Sequence, residues 1–364
     1  MKFSVVARSG TSRAGVLDLA HARVETPVFM PVGTYGTVKG LDPSAIESLG
    51  FRLVLSNSYH LHLSPGEDLV AAAGGLQRFM GWPGAVLTDS GGYQLFSLKD
   101  VVKVTDEGVE SRSPLDGARE FITPERMVQV QVRLGVDIAM VLDHCPPSDA
   151  PKDKVAEAME RTTRWAKRCL TVARPDETAL FGIVQGGVHL DLRRAHLDEV
   201  ASLPFDGLAL GGFSVGEPPD VMHELVDDLA PRLPDERPRY LMGVGTPIDL
   251  IRSVQAGMDM FDCVMPTRHA RNGQLFTSRG RINVANARFR TDMDPPDPAC
   301  GCPTCRRFST AYLSHLYRRK EILYSVLATT HNLWFYRQLM TDLRQAILDG
   351  HLEETAHRLS QPWL

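Results

Sequence analysis

The chain has 364 residues, of which 43% are hydrophobic, and its formal net charge of −4 excludes a protein coated evenly in positive charge. No apolar segment approaches the roughly 18 residues of a membrane-spanning helix. Residues 1–8 lack the long apolar region of a signal peptide, which predicts a cytoplasmic protein. Six cysteines, three of them clustered, favour thiols and a metal over a disulfide framework.

The first predicted elements are two short strands within residues 1–25, joined by a turn at Ser9-Gly10-Thr11. Eight short apolar runs follow, most of them closed by a polar residue or glycine and separated by stretches long enough for a helix. The runs are 26–32, 51–55, 85–87, 136–142, 180–184, 208–210, 240–242 and 260–261. Eight such units predict a (β/α)8 barrel, whose active site lies at the carboxyl ends of the strands. The N-terminal strands would close its bottom.

Between the third and fourth runs, residues 101–117 alternate valines with polar residues and predict an inserted hairpin. A helix is predicted to begin after Thr123, because Thr is a good N-cap and Pro124 suits the first helical position. Further helices are predicted over 152–172, 190–201, 219–233 and 321–348. We therefore predict a barrel over residues 1–290 and a C-terminal helical region over 291–364.

Carboxylates stand at three of the predicted strand ends. Asp89 follows the third run, Asp143 the fourth and Asp262 the eighth. A single Asp before glycines is more often a turn residue bonded to its own backbone, but the repetition favours a functional site. Asn57, after the second run, could bind a ligand or equally cap a helix. Ser90-Gly91-Gly92 lets the backbone come close to a ligand.

The most specific pattern is a metal-binding one. Cys300-Gly301-Cys302-Pro303-Thr304-Cys305 places three thiols within six residues, and His331 lies on a predicted helix. Three thiolates and an imidazole form the closed tetrahedral set of a structural zinc site. The fourth ligand could also be His315. Buried inert cysteines are the alternative, which their spacing in a Pro/Gly turn disfavours.

Positive charge is concentrated in one stretch. From Thr267 to Lys320 eleven Arg or Lys residues stand against three Asp, a local balance of +8. Such a cluster can form a phosphate-binding face, or a solvated surface paired with acidic neighbours, and charge alone does not separate the two.

Several motifs together resemble the tRNA-guanine transglycosylases, in family order from Thr26 to His331. They are 88–94 (TDSGGYQ), 143–145 (DHC), 182–187 (GIVQGG), 211–212 (GG), 261–268 (FDCVMPTR), 271–273 (RNG) and the cysteine cluster with His331. The resemblance implies a zinc-containing barrel that exchanges guanine at the wobble position of certain tRNAs for a 7-deazaguanine base. Such an exchange without chain cleavage suits a double displacement, which needs a nucleophile and a proton carrier. Asp89 and Asp262 are the candidates, and spacing does not say which is which. The resemblance implies Asp262 as nucleophile and Asp89 as general acid/base.

A guanine pocket needs a carboxylate and hydrogen-bond donors. Asp143 could accept from the base's N–H groups, while the Gln185 amide and the Gly212 N–H donate to its carbonyl oxygen. Tyr93 could stack on the base and Met242 could cover its other face. Without the resemblance, the glycines would be interpreted as turns and Met242 as core packing. The target nucleotide must leave its stack, which an anticodon loop makes easy.

Other positions bear on the choice of base and on the tRNA. Cys145 and Val215 resemble the bacterial branch of the family, which uses the aminomethyl precursor base. His144, Phe213 and Ser214 depart from the pattern that we expect beside the pocket, so they bear on base preference. Arg268 and Arg271 follow the strand of Asp262 and are expected to face the phosphates that flank the target nucleotide.

Two other classes of function are alternatives to this interpretation. A non-catalytic tRNA-binding subunit of the same fold is disfavoured by the presence of both Asp89 and Asp262. A metal-dependent barrel hydrolase would need an open metal site near the strand ends, which the cysteine-rich set does not offer. We expect a homodimer, an oligomeric state that the residues do not determine by themselves.

Overall fold

Eight parallel strands form the centre of the structure, a computed structural model that describes residues 1–92 and 101–364. Numbered along the chain, they are β1 Val28–Met30, β2 Leu53–Asn57, β3 Ala85–Asp89, β4 Ile138–Met140, β5 Ala179–Val184, β6 Gly207–Leu210, β7 Arg239–Leu241 and β8 Met260–Asp262. Neighbours pair in numerical order from β2 to β8, and β8 pairs with β1. The ring closes where the Gly33 N–H donates to the Leu55 carbonyl at 2.6 Å. The predicted (β/α)8 barrel is confirmed.

The barrel strands are mostly apolar, because helices cover them from outside and side chains fill the interior. All six residues of β5 and all four of β6 are buried. Parallel strands covered on both faces give continuous apolar runs in place of an alternating pattern. This property made the eight runs visible in the sequence, although each strand differs from its predicted limits by one or two residues at one end or at both.

Helices connect and surround the strands. The α-helices that lie entirely within the described residues are Pro43–Ser48, Ser58–Leu63, Glu67–Ala72, Leu76–Met80, Pro124–Leu134, Lys152–Leu170, Leu190–Ala201, Pro219–Leu229, Pro247–Ala256, Met265–Arg271, Pro303–Arg307, Thr310–Arg319, Ile322–Asp349 and Leu352–Ser360. As predicted, Thr123 caps its helix, its hydroxyl accepting from the Arg126 N–H at 3.1 Å. Within residues 1–92 and 101–364, none of these helices combines the length and the apolar composition that crossing a membrane requires.

An antiparallel sheet at the N-terminus lies across the bottom of the barrel. Its strands are Lys2–Ser9, Ser12–Asp18 and Arg23–Thr26. The sheet therefore contains the two predicted strands and a third strand, Arg23–Thr26, which pairs with the second. The buried Arg13 donates from Nε to Asp259, just before β8, at 2.9 Å. His21 contacts Asp137, just before β4, at 3.0 Å. These contacts hold the sheet against the amino ends of the strands, away from the end that carries the candidate site.

The segment between β3 and β4 carries an inserted sheet of three strands, Val101–Val104, Val109–Arg112 and Arg119–Ile122. The sequence predicted only the hairpin formed by the first two. Its third strand was missed because Arg119–Ile122 is short and mostly exposed, so it lacks an apolar run. His62 links the sheet to the barrel by contacting both Glu67 and Glu120, and the contact with Glu120 raises the pKa of His62.

The C-terminal region packs around the long helix Ile322–Asp349, which was predicted over 321–348. Leu333 and Tyr336 of this helix belong to the main core, whereas Tyr324 and Ala328 belong to a smaller one. The smaller core includes residues from both sides of position 290. The domain boundary between residues 290 and 291 therefore stays a prediction.

Candidate active site

A cavity of about 490 Å³ opens at the carboxyl ends of the barrel strands. Its walls come from the loops after most of the strands, as expected for a barrel of this type. The predicted residues Asn57, Asp89, Asp143, Cys145, Gly212, Met242, Asp262 and Arg268 all line it. Gln185 lies behind this wall, and Arg271 lies one helical turn beyond Arg268. Tyr93, predicted to stack on a base, lies outside the described residues.

Asp89 ends β3 and is fixed by the neighbouring strand. The Asn57 amide donates to Asp89 Oδ2 at 3.1 Å, and the Asn57 side-chain oxygen accepts from the His60 N–H, also at 3.1 Å. Asn57 therefore caps the helix Ser58–Leu63 and orients the carboxylate at the same time, which combines the two roles left open by the sequence. Burial, followed by the nearby carboxylates of Asp143 and Asp262, raises the pKa of Asp89 to about 7.

Asp89→Asn is expected to stabilise the protein, by an amount that grows with pH. An unfolded Asp ionises near pH 4, whereas folded Asp89 keeps its proton to about pH 7, so folding takes up a proton between these values. The wild type therefore loses stability from about pH 4 to pH 7, by at most roughly 4 kcal/mol, whereas the amide does not titrate. Thermal midpoints of both proteins near pH 4.5 and pH 8 measure the difference.

Asp249→Asn provides a control of opposite sign. Burial alone would raise the pKa of Asp249, but hydrogen bonds from His223 and Thr246 outweigh it and lower that pKa. Its carboxylate contributes stability that is present above the unfolded pKa and is lost as the pH falls, so the Asn variant should be less stable at pH 8. A gain for Asp89→Asn that is equal at both pH values would contradict the assigned pKa.

Asp262 ends β8 and has one oxygen fixed by two donors. The Tyr240 hydroxyl donates to Asp262 Oδ1 at 2.6 Å and the Gly243 N–H donates to the same oxygen at 2.8 Å. Burial raises the pKa of Asp262, and the bonds from Gly243 and Tyr240 oppose that effect. Oδ2 accepts no hydrogen bond from the described part of the chain, so it is the oxygen available for chemistry.

Asp143, which lines the cavity, and Gln185, which lies behind its wall, form a buried polar pair. Gln185 Nε2 donates to Asp143 Oδ2 at 2.6 Å, and burial raises the pKa of Asp143 to about 6. Gly92 was predicted to let the backbone come close to a ligand, and in the structure it is the side chain of Asp143 that comes close to it. A Cβ on Gly92 would lie 2.2 Å from Asp143 Oδ1, so the glycine makes room for the carboxylate.

Gly212 stands where β6 gives way to the cavity wall. Its φ of +67° favours glycine, and a Cβ there would lie 2.4 Å from Gln185 Oε1. Gln185 Oε1 is buried and has no hydrogen-bond partner among the described residues. An unsatisfied amide oxygen beside a cavity can accept a hydrogen bond from an N–H group of a ligand.

The other predicted pocket residues differ in their accessibility. Met242 lies half-buried on the wall, and Cys145 is buried, with burial raising its thiol pKa to about 12, which excludes a thiolate nucleophile. Phe213 and Ser214 line the cavity. His144 does not, since its ring turns away and Nδ1 contacts Arg161 Nη1 at 3.0 Å.

Arg268 and Arg271 lie on the helix Met265–Arg271, directly after β8. Arg268 is exposed at the rim of the cavity, and Arg271 donates to the Thr267 carbonyl at 2.8 Å. None of the eleven basic residues from Thr267 to Lys320 forms an ion pair with an acidic side chain within the described residues. This favours the phosphate-binding interpretation of the cluster over the paired surface.

Cys300, Cys302, Cys305 and His331 come together as predicted. One donor atom from each lies within 4.8 Å of the others. His331 Nδ1 faces the three sulfurs at 3.8, 3.5 and 3.2 Å, while its Nε2 contacts the Phe276 carbonyl at 2.7 Å. A backbone carbonyl on the far nitrogen leaves the near one free for a metal, so this donor set fits a metal ion. His315 is exposed and does not belong to the group.

Tyr240 and Arg193 contact the site but were not predicted. Tyr240 lies within an apolar strand, where a tyrosine is usually a packing residue, and nothing in the sequence pairs it with Asp262. Arg193 lies on the helix Leu190–Ala201 beside a second arginine and resembles a surface residue, yet it is fully buried. The sequence offers a general indication only for Tyr240: a tyrosine in a buried strand needs a hydrogen-bond partner for its hydroxyl, although the sequence does not say which residue that is.

The sequence matches the family described as queuine tRNA-ribosyltransferase over residues 8–363. A queuine tRNA-ribosyltransferase from Sorangium cellulosum (strain So ce56) is 56% identical, covering 96% of this chain and 88% of its own length. Relatives of the same name from Aromatoleum aromaticum and Desulforamulus reducens are 52% and 51% identical, covering 98% and 94% of this chain and 97% and 93% of their own. With a match over nearly its whole length and relatives above half identity, the chain belongs to the queuine tRNA-ribosyltransferase family.

Proposed function

We propose that this chain is a tRNA-guanine transglycosylase, which exchanges guanine at the wobble position of tRNA for 7-aminomethyl-7-deazaguanine through a covalent enzyme–tRNA intermediate. The observation that carries the proposal is the convergence on one cavity of Asp89 and Asp262, which end two strands, and Asp143, which follows a third. Two carboxylates can divide the roles of nucleophile and proton carrier, and the third can recognise a base. The family name of the relatives supports a glycosyl transfer to tRNA.

Asp262 is the nucleophile. Two hydrogen bonds hold Oδ1, so Oδ2 is oriented to attack C1′ of the ribose as the bond from C1′ to the guanine nitrogen breaks. The electron pair of that bond leaves with guanine, and an ester bond joins the sugar to the enzyme. Because the only bond that breaks in the tRNA is the one between C1′ and the base, the phosphate backbone stays intact.

Asp89 carries the proton in both halves of the exchange. With a pKa of about 7 it is partly protonated near neutral pH, so it can give a proton to the departing guanine. The resulting carboxylate then takes a proton from the ring nitrogen of the incoming base. That nitrogen attacks C1′ and displaces Asp262, which restores both carboxylates to their first state.

Asp143 selects the base. With a pKa of about 6 it is mostly ionised at neutral pH, so it accepts from the N–H groups on the base's hydrogen-bonding edge. The second N–H of Gln185 and the Gly212 N–H are the donors for the carbonyl oxygen. Met242 covers one face, and Tyr93 is proposed to cover the other.

The tRNA is held by basic residues of the stretch from Thr267 to Lys320. Arg268 and Arg271 stand beyond the strand end that carries Asp262, and a guanidinium can hold a phosphate through two parallel hydrogen bonds. Cys145 beside the base and Val215 on the cavity wall support the aminomethyl base as partner.

Arg271→Ala is expected to weaken tRNA binding and to reduce the slope of log affinity against log salt by roughly one unit, because one phosphate contact is lost. Free guanine should bind normally, since Arg271 does not line the cavity. Arg52→Ala is the matched control, an exposed arginine paired with Glu47 at the opposite end of the barrel. Affinities at several salt concentrations test this. A lowered thermal midpoint with an unchanged slope would mean that Arg271 only supports the fold.

The remaining proposals concern the metal, the assembly and the compartment. Zinc is the ion that we propose for the Cys300, Cys302, Cys305 and His331 group, because three thiolates and an imidazole match its structural sites. Zinc would stabilise the C-terminal region and supply no chemistry. We propose a homodimer, because Tyr312 and Ile322, on two helices of the C-terminal region, expose large side chains with apolar surface. A cytoplasmic location fits the free cysteines.

Base exchange of labelled guanine into unmodified tRNA tests the function. The expected result is incorporation into a tRNA with guanine at the wobble position and none into the same tRNA with adenine there. A non-catalytic tRNA-binding subunit would bind the tRNA without incorporation, and that result would overturn the proposal. Chase of the incorporated label by the aminomethyl base would establish the direction of exchange.

A further inference from the structure

Arg193 is a buried arginine directly behind the cavity wall. Within the described residues it forms no ion pair with a carboxylate. Its guanidinium donates instead to three backbone carbonyls, those of Gly187 at 2.6 Å, Gly211 at 3.0 Å and Gly212 at 3.1 Å. Its Cζ atom also lies 3.8 Å from the ring centroid of Phe213. Burying a charged side chain without a carboxylate partner costs folding free energy, which suggests that Arg193 has a function that a neutral side chain could not perform.

The carbonyl contacts determine the direction of two backbone N–H groups. In a trans peptide the C=O and the following N–H point in opposite directions. Because the Gly211 and Gly212 carbonyls point towards Arg193, the N–H groups of Gly212 and Phe213 point away from it. Gly211, Gly212 and Phe213 all line the cavity. The backbone hydrogen bonds within residues 1–92 and 101–364 include none donated by these two N–H groups.

Two neighbouring N–H groups that face the same way form a concave site for an oxygen with partial negative charge. Arginine suits the position behind them because its planar fork carries five N–H donors in a fixed arrangement. A lysine ammonium would reach the same carbonyls only with different geometry. The Arg193 guanidinium also stacks on the Phe213 ring and so holds the residue whose N–H is the second donor. Phe213 is one of the positions at which this chain departs from the expected family pattern.

We propose that Arg193 is a positioning residue for base selection, which holds the Gly212 and Phe213 N–H groups as a paired donor site for the carbonyl oxygen of the base. This inference rests on the proposed transglycosylase function. It adds a residue that touches neither base nor tRNA but determines where the donors point. It also gives Phe213 a role through its backbone N–H, in addition to the stacking of its ring on Arg193.

The test compares Arg193→Lys with Arg239→Lys in the guanine exchange reaction. Arg239 is a matched control, since it is also buried and donates to backbone carbonyls, those of Leu233 and Gly257, at the opposite end of the barrel. Loss of one well-oriented hydrogen bond predicts a rise of about tenfold in KM for guanine in Arg193→Lys. We expect kcat and KM for tRNA to stay within about twofold. Arg239→Lys should leave all three constants unchanged, whatever its thermal midpoint.

A second probe separates selection from stability. 6-Thioguanine keeps the ring N–H and the exocyclic amine but has sulfur, a weaker acceptor, in place of the carbonyl oxygen. As competitors, guanine should lose affinity in Arg193→Lys and 6-thioguanine should lose less, so the preference for guanine falls about fivefold. Arg193→Gln, which has only two N–H donors, should behave likewise and serves if the Lys variant does not fold.

The outcomes are distinct. An unchanged KM for guanine, or equal losses for both bases, would overturn the role of Arg193. Loss of guanine affinity with an equal loss of tRNA affinity would do the same, because it would indicate general damage to the fold. A wild-type protein that incorporates no guanine would instead overturn the proposed function on which this inference rests.

Discussion

Asp262→Asn is expected to abolish base exchange, lowering kcat/KM by at least about 10⁴-fold, and to prevent the covalent tRNA adduct. An amide is a poor nucleophile at a sugar carbon, while its size and its oxygen match those of the carboxylate. The amide oxygen can still accept from Tyr240 and Gly243, so the fold and the guanine affinity should persist. A denaturing gel that traps the tRNA adduct is the direct measurement.

Asp89→Asn is the natural comparison, because it removes the proton carrier and leaves the proposed nucleophile intact. It should slow both halves of the exchange and still permit some adduct to form over long incubation. An adduct that forms with Asp262→Asn and is lost with Asp89→Asn would reverse the two roles. Retained guanine binding in both variants is the check that neither result comes from unfolding.

The structure gives a physical basis for roles that spacing left open. Both carboxylates end strands and both are buried, so position alone does not separate them. The proposed division of roles rests on their partners. Asp262 has one oxygen held by a hydroxyl and a backbone N–H, whereas burial, followed by the carboxylates of Asp143 and Asp262, raises the pKa of Asp89 to about 7. Holding one oxygen of Asp262 leaves the other oriented for attack, and a pKa of about 7 suits Asp89 for proton transfer.

The parts of the fold that were predictable are those determined by local pattern. Barrel strands are buried on both faces, so their apolar runs are continuous, and residues such as Asp89, Asp143 and Asp262 stand at their ends or just after them. The cysteine group was also local in sequence, with only its fourth ligand open. Distance resolves that choice, since His331 lies among the sulfurs and His315 is exposed.

The parts that were missed depend on tertiary contacts. Arg193 has the sequence surroundings of a surface residue, and only the folding of β6 beside its helix brings the Gly211 and Gly212 carbonyls to it. The dual role of Asn57, as cap and as partner of Asp89, likewise depends on the pairing of β2 with β3. The third strand of the insertion is stabilised by pairing with Val109–Arg112 and carries no apolar pattern of its own.

Cys302→Ala is expected to remove the metal and to lower the thermal midpoint by roughly 10 °C or more. Binding of a structural metal contributes directly to folding, and three remaining ligands hold an ion much more weakly than four. Cys302 is fully buried and caps the helix Pro303–Arg307, so its loss should loosen the segment that packs against Ile322–Asp349. Metal analysis of the purified protein, together with limited proteolysis of the C-terminal region, measures both effects.

Cys169→Ala is the matched control for that experiment. Cys169 is also a buried thiol, but it lies on the helix Lys152–Leu170 near the Pro124 carbonyl and outside the metal group. It should keep one equivalent of metal and lose only the stability of a small packing defect. If Cys302→Ala kept a full equivalent of zinc, the four-residue site would be wrong. If it lost the metal but kept its midpoint and its resistance to protease, the ion would be bound without stabilising this region.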